Sequence, residues 1–122
     1  KALFTKIESI VHPAIKEHRS AFIEACNISN QKLAVVDIPL LYETKADQWL
    51  DAVLVVSIDE ETQRKRVMSR NDMNEKTFDL ILSKQLPDKI KRDRADYIIE
   101  TNSIVYVQEQ VQSLVKKILG NL

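Results

Sequence analysis

Glycine is almost missing from this 122-residue chain, which holds one, Gly120. A phosphate-cradling loop needs glycines so that backbone N–H groups can converge on an anion, so neither a P-loop nor a dinucleotide fingerprint can be written here. Cysteine is as scarce. Cys26 alone cannot form an internal disulfide, and beside two histidines it is a poor kit for a structural zinc site. It reads as a small buried hydrophobe. An excess of either charge is also lacking: eighteen Lys and Arg balance eighteen Asp and Glu, so no global field recruits nucleic acid or an anionic membrane. No apolar run approaches the roughly 20 residues of a membrane helix, and no signal-peptide pattern opens the chain; the expected address is cytoplasmic. What is present, 44% hydrophobic and 30% charged residues, predicts one soluble domain with one core. Lys1-Ala2-Leu3-Phe4 enters a helical pattern without an initiator methionine. With the missing glycines, that predicts a piece of a longer protein.

Leu3, Phe4, Ile7, Ile10 and Val11 recur at helical spacing over 2–11. His12-Pro13 then predicts a boundary and a second helix over 13–26, with Ile15, Phe22 and Ile23 opposite Lys16, Glu17 and Arg19. Asn27 to Lys32 reads as a loop. Leu33–Ile38 and Ala52–Ile58 are continuous apolar runs, as expected of parallel strands covered on both faces, and Tyr97-Ile98-Ile99 is a third, shorter one. Helical patterns at 60–71 and 75–86 follow plausible N-caps at Asp59 and Asn74. A last helix over 104–119 presents Val107, Val111, Leu114, Val115 and Ile118 on one face. Strands alternating with helices predict an α/β protein with a three-stranded parallel sheet, its first strand missing upstream.

Neutrality conceals a basic arm: 60–94 carries ten Lys and Arg against seven acids. Gln63, Arg66, Val67 and Arg70 fall three or four apart and share a helical face. Two guanidinium groups one turn apart can grip phosphate oxygens with paired donors. The same residues also read as a solvated helix paired to Glu60, Glu61 and Asp72. Asp37, Pro39, Leu40, Leu41, Tyr42 and Glu43 follow the first predicted strand, where ligands bind in parallel sheets, although a plain strand exit explains them too. His12 is either a ligand contact or a boundary residue, and Trp49 packs beside the second strand. No nucleophile elbow supports a Ser–His–Asp site.

Taken in order, several segments resemble the C-terminal part of the dephospho-coenzyme A kinase family. They are Ile7–Pro13, Val35–Glu43, Val53–Val56, Gln63–Arg66 with Arg70, Gln85-Leu86-Pro87, Lys91 and Ala95–Ile99. The Pro-Leu-Leu-x-Glu element, the Gln-x-x-Arg helix and the Ala-Asp strand are its specific marks. The resemblance implies a P-loop kinase-like three-layer α/β fold, truncated at the N-terminus, with a helical substrate domain and a lid. Residues 1–30 would be the coenzyme A-binding helices, 33–59 the core strands, 60–94 the lid and its flanks, and 95–122 the last strand and C-terminal helix. The implied reaction moves the ATP γ-phosphoryl to the ribose 3′-hydroxyl of dephospho-coenzyme A. Gln63, Arg66, Arg70, Lys91 and Asn102 would face ATP, and His12, Pro39, Leu40, Leu41 and Glu43 the acceptor. ATP and Mg2+ would need the P-loop and the catalytic acid of the absent upstream segment, so the piece alone is expected to be inactive. Where the family often has Asp-Asn-Ser-Gly, this chain has Glu100-Thr101-Asn102-Ser103, and Asn102 is expected to supply the left-handed turn. Two other readings compete: a nucleoside or nucleotide kinase, and a receiver-like module phosphorylated on Asp37, although the lysine that such modules need is not found after the third strand.

Overall fold

In the computed structural model, residues 2–121 are described; Lys1, Leu122 and the side chains of Ala2 and Phe4 lie outside the described set. The elements run α1 (Ala2–Ile28), a short 3-10 helix (Ala46–Trp49), β1 (Leu54–Ser57), α2 (Glu60–Met68), α3 (Glu75–Ser83), α4 (Asp88–Arg94), β2 (Tyr97–Glu100) and α5 (Ile104–Gly120). The chain divides into two compact units, one from α1 to Asp37 together with Leu119 onward, the other Ile38–Ile118.

The first unit corrects the expected break at His12-Pro13. Pro13 sits inside one continuous 27-residue helix. Proline cannot donate to the carbonyl four residues back, but that removes a single bond from a long ladder. Leu3, Ile7, Ile10, Val11, Ile15 and Phe22 are exposed along it. Cys26 is half-buried. Leu33–Ile38 is not a strand. Apolarity gives a segment the capacity to pair, but a strand exists only through ladder bonds to a neighbour. Among the described residues the sheet has two strands rather than three. The receiver reading loses its geometry with that strand, because Asp37 no longer follows one.

In the second unit β1 and β2 pair in parallel, Leu54 opposite Tyr97 and Ser57 opposite Glu100. Their entry is fastened by Asp96, whose Oδ2 accepts from Val53 N at 2.8 Å while its own N–H donates back to Val53 O at 3.0 Å. That reciprocal pair gives the Ala-Asp motif a structural reason. The buried set is Tyr42, Ala46, Val53, Phe78 and Ile99, with Ser57 as its polar member. Covering on both faces is not met: Leu54 and Val56 stay exposed while Val53 and Ser57 are buried. Trp49 is 46% exposed.

The predicted caps are in place. Asp59 Oδ2 accepts from Thr62 N at 2.9 Å and starts α2; Asn74 Oδ1 accepts from Thr77 N at 2.8 Å and starts α3. Ser103 Oγ accepts from Tyr106 N at 3.1 Å and starts α5. α3 ends at Ser83, short of 86, and Gln85-Leu86 turns into Pro87, which disfavours helix in its predecessor. α4 follows, a helix of seven residues that sequence periodicity does not reveal because it spans barely two turns.

Candidate functional site

Two parallel strands that end side by side leave their last carbonyls and the following loops at one mouth, the usual place for a ligand in such sheets. β1 ends at Ser57 and β2 at Glu100, and Thr101 N donates to Ser57 O at 2.9 Å, so the two exits are locked in register. Asp59 then caps α2 immediately beyond β1. The Thr62 backbone N–H, and after it the Thr62 hydroxyl, hold the Asp59 carboxyl below the usual carboxylate range. The cap fixes where the helix begins, and so which side chains meet the mouth.

Gln63, Arg66, Val67 and Arg70 do meet there. With Ser57, Ile58, Asp88 and Thr101 they line a cleft of about 340 Å3. Arg70 lies just past the end of α2, in a turn where its N–H donates to Val67 O, rather than on the helix as expected. Arg66 donates from Nη1 to Thr101 Oγ1 at 3.1 Å and from Nη2 to Thr101 O at 2.8 Å. These bonds use one edge of the guanidinium fork and leave Nε–H and the outer terminal N–H groups for an anion. Among the described residues nothing pairs with the Arg70 side chain. A second cleft of about 440 Å3 is lined by Arg66, Thr101, Ser103, Ile104, Val107 and Gln108. Arg66 and Thr101 line both clefts, of which the second is the more apolar.

The solvated-helix reading holds for other members of α2. Lys65 pairs with Glu61 at 3.2 Å. Arg64 reaches α3, bonded to Glu75 and to Asp79 at 3.0 Å with its fork 4.9 Å from the Phe78 ring centre. The Asp79 hydrogen bond, followed by the charge of Glu75, raises the Arg64 pKa above its ordinary value against partial desolvation. Glu60, Glu61 and Asp72 are not what Arg66 pairs with.

Pro39–Glu43 forms a tight turn rather than a strand exit. Leu40 has φ 52° and Lys45 φ 59°, left-handed conformations costly for side chains with a Cβ. The turn is closed by Thr44 N to Leu40 O, Lys45 N to Tyr42 O and Ala46 N to Leu41 O, all near 3.0 Å. Pro39 and Leu40 are exposed, Leu41 half-buried and Tyr42 buried. Burial pushes the Tyr42 phenol above its usual value, reinforced by Asp96 and Asp47 and opposed by Arg94; among the described residues its hydroxyl has no hydrogen-bond partner. Glu43 turns inward. Its Oε2 lies 3.5 Å from Lys91 Nζ and accepts from Leu86 N at 3.4 Å, while Oε1 is buried with no hydrogen-bond partner among the described residues.

Of the residues singled out in the sequence, the structure brings Gln63, Arg66 and Arg70 together at the strand ends. It pairs Lys91 with Glu43 instead of placing Lys91 in that cleft. Asn102 is exposed, lines neither cleft and has no positive φ, so the expected left-handed turn is not made. Its neighbour Thr101 supplies the contact to Arg66 by accepting on two oxygens, which needs no αL residue. His12 is exposed on α1, in the first unit. Sequence reasoning missed Ser57, Asp88 and Thr101; Ser57 Oγ donates to Asp88 Oδ2 at 2.7 Å. The one available hint was a serine inside an otherwise apolar strand. Among the described residues no three His, Cys, Asp or Glu side chains are grouped as a metal would need, so no step is assigned to Mg2+ held by this chain.

A family model described as dephospho-CoA kinase matches residues 2–106. The chain is 41% identical over 118 residues to a dephospho-CoA kinase of Agrobacterium fabrum, covering 96% of this chain and 61% of that relative. It is 41% identical over 116 residues to one of Bartonella quintana, covering 94% and 60%. The Rhizobium etli relative of the same name is 40% identical over 116 residues, with 94% and 57% covered. The chain thus spans about 60% of the length of the curated relatives it matches.

Proposed function

The chain belongs to the dephospho-CoA kinase family, and on that premise we propose that it is the lid-bearing part of an ATP-dependent kinase for dephospho-coenzyme A. In the proposed reaction the ribose 3′-oxygen attacks the γ-phosphorus and the bond to the ADP oxygen breaks. The hydroxyl proton passes to an acid residue outside these 122 residues. ATP is the co-substrate, with its phosphate loop and Mg2+ supplied by the same outside segment. What this chain contributes is positive charge fixed at the strand ends: Arg66 and Arg70 take phosphate oxygens, and Gln63 orients them. Cations held in place before the reaction stabilise charge that shifts during phosphoryl transfer. Residues 60–94 act as lid and flanks, 33–59 and 95–122 as core, and 1–30 with His12, on the single helix α1, as the acceptor-side part. Pro39, Leu40 and Leu41 face the acceptor. The observation that carries this reading is the convergence of Gln63, Arg66 and Arg70 on one cleft at the carboxyl ends of two parallel strands.

The test is an acceptor panel with the full-length protein and ATP. Dephospho-coenzyme A is expected to be phosphorylated far faster than nucleosides or nucleotides, and the 122-residue piece alone to give no turnover. Preference for a nucleoside would move the protein to another acceptor class. Turnover by the piece alone would contradict the need for an outside phosphate loop.

A further inference from the structure

Glu43 lies well away from the arginine cleft in sequence and belongs to no group that lines it, yet it is engaged on two sides. Its carboxylate holds Lys91 of α4 at 3.5 Å and the Leu86 amide at 3.4 Å, the latter just before α4 begins. It is 15% exposed and Lys91 23%, so the pair is largely shielded from solvent and salt. The turn that presents Glu43 is stiff: left-handed Leu40 and Lys45 bracket it, and three backbone bonds close it. The turn touches α4 a second time through Tyr42, whose ring centre lies 5.8 Å from the Arg94 guanidinium carbon. Lys91 and Arg94 are three apart, one face of a helix. One turn earlier on α4 stands Asp88, which accepts from Ser57 at 2.7 Å and lines the cleft. Ser57 O in turn takes the Thr101 amide at 2.9 Å, and Thr101 holds both ends of the Arg66 fork.

We propose that Glu43 is a positioning residue for the arginine cleft: by holding Lys91 and the Leu86 amide it sets α4, and through Asp88, Ser57 and Thr101 it sets the Arg66 fork. The proposal rests on reading the cleft as a polyphosphate site. It makes the Pro39–Glu43 turn, on the acceptor side, the mechanical support of the nucleotide side. Each link is a direct polar contact or a step along α4. The demonstration has to be energetic.

The probe is inorganic tripolyphosphate, titrated by calorimetry into the full-length protein. Glu43→Gln is nearly isosteric and removes only the charge. It is expected to weaken binding about five- to tenfold, with Lys91→Met matching it, because each breaks the same pair. Arg66→Ala weakens binding at least as much. The decisive case is Glu43→Gln with Arg66→Ala: if Glu43 acts through Arg66, the double variant binds within about twofold of Arg66→Ala alone. A Glu43→Gln protein that binds within about twofold of wild type overturns the proposal, whatever its melting temperature. Losses that multiply in the double variant overturn it as well, since a merely structural role predicts independence. Phosphorylation of dephospho-coenzyme A is followed on the same preparations. A wild type that binds tripolyphosphate with the expected non-additivity but ignores this acceptor sinks the proposed function and leaves the Glu43 proposal standing. A competent wild type with multiplying losses does the reverse.

Discussion

Asp96→Ala should loosen the whole mouth of the sheet without touching it. Asp96 Oδ2 accepts from the N–H of Val53, a residue 7% exposed, at 2.8 Å, and among the described residues that donor has no other acceptor. Truncation therefore removes a charge-assisted bond and strands a largely buried backbone N–H, together about 2 kcal/mol. In a protein of the relatives' size, that corresponds to a fall in melting temperature of about 4–8 °C. Asp96→Asn keeps a carbonyl oxygen at the same reach, so it should lose only the charge-assisted part, less than half of the effect. Differential scanning calorimetry of the full-length protein measures both. Hydrogen exchange at Val53 and at Thr101, the donor that ties the far ends of the strands, reports where the loosening goes. If Asp96→Ala melts within about 2 °C of wild type, or no lower than Asp96→Asn, then the Val53 amide has another acceptor and the account of the Ala-Asp motif is wrong.

Arg66→Ala in the full-length protein should lower kcat/KM for ATP roughly ten- to hundredfold, the worth of one or two charge-assisted bonds to phosphate, while the melting temperature falls by no more than about 4 °C. Arg66→Lys keeps the charge but not the fork and should recover only part; unchanged steady-state kinetics for Arg66→Ala would leave it a strut for Thr101. Tyr42 titrates above its ordinary value, so between that value and the native one the folded state keeps a proton that the unfolded chain gives up. Its contribution is complete below about pH 10 and is lost as pH rises further. Tyr42→Phe, which deletes a buried hydroxyl without a partner, should melt at least as high as wild type at pH 7 and lose less on going to about pH 11. Parallel alkaline melting curves for the two proteins would count against that.

Local chemistry was legible in the sequence and pairing was not. Asp59 and Asn74 cap helices because a short acceptor two or three residues before a free amide is a local arrangement, complete within one turn. α5 and both observed strands follow from periodicity and β-branching for the same reason. Leu33–Ile38 has the composition of a buried strand, but composition states a preference and leaves the neighbour unspecified; no ladder reaches it among the described residues. Pro13 shows the converse: a local breaker overridden because the helix on both sides of it is long. In the site, Arg66 and Gln63 were found by spacing. Turn chemistry points to Asn102, a residue that tolerates αL, whereas the structure uses the hydroxyl and carbonyl of its neighbour Thr101. The Glu43–Lys91 pair joins segments on either side of β1, α2 and α3, and no periodicity encodes such a contact.

The basic helix also shows why a count of charges could not decide between a solvated face and a ligand face. Successive helical residues are about 100° apart, so Arg64 and Arg66 point to nearly opposite sides of α2. Arg64 meets Glu75, Asp79 and the Phe78 ring, a full set of partners that fixes α2 against α3. Arg66 meets Thr101, which offers two oxygens but no negative charge. A guanidinium hydrogen-bonded to neutral acceptors keeps more of its charge available than one held by carboxylates, and the Asp59 carboxylate feels Arg66 only through space. The solvated reading therefore holds for Arg64 and Lys65, and the ligand reading is the one proposed for Arg66. The one that matters for phosphate is carried by what Arg66 is bonded to, more than by how many cations surround it. Replacing Thr101 with Asp would convert the second situation into the first, neutralising the fork in place. Arg66 would stay ordered by the added charge, and phosphate affinity should fall nearly as far as in Arg66→Ala. Retained tripolyphosphate binding in Thr101→Asp, measured on the full-length protein, would mean that the fork's net charge is not what the cleft uses.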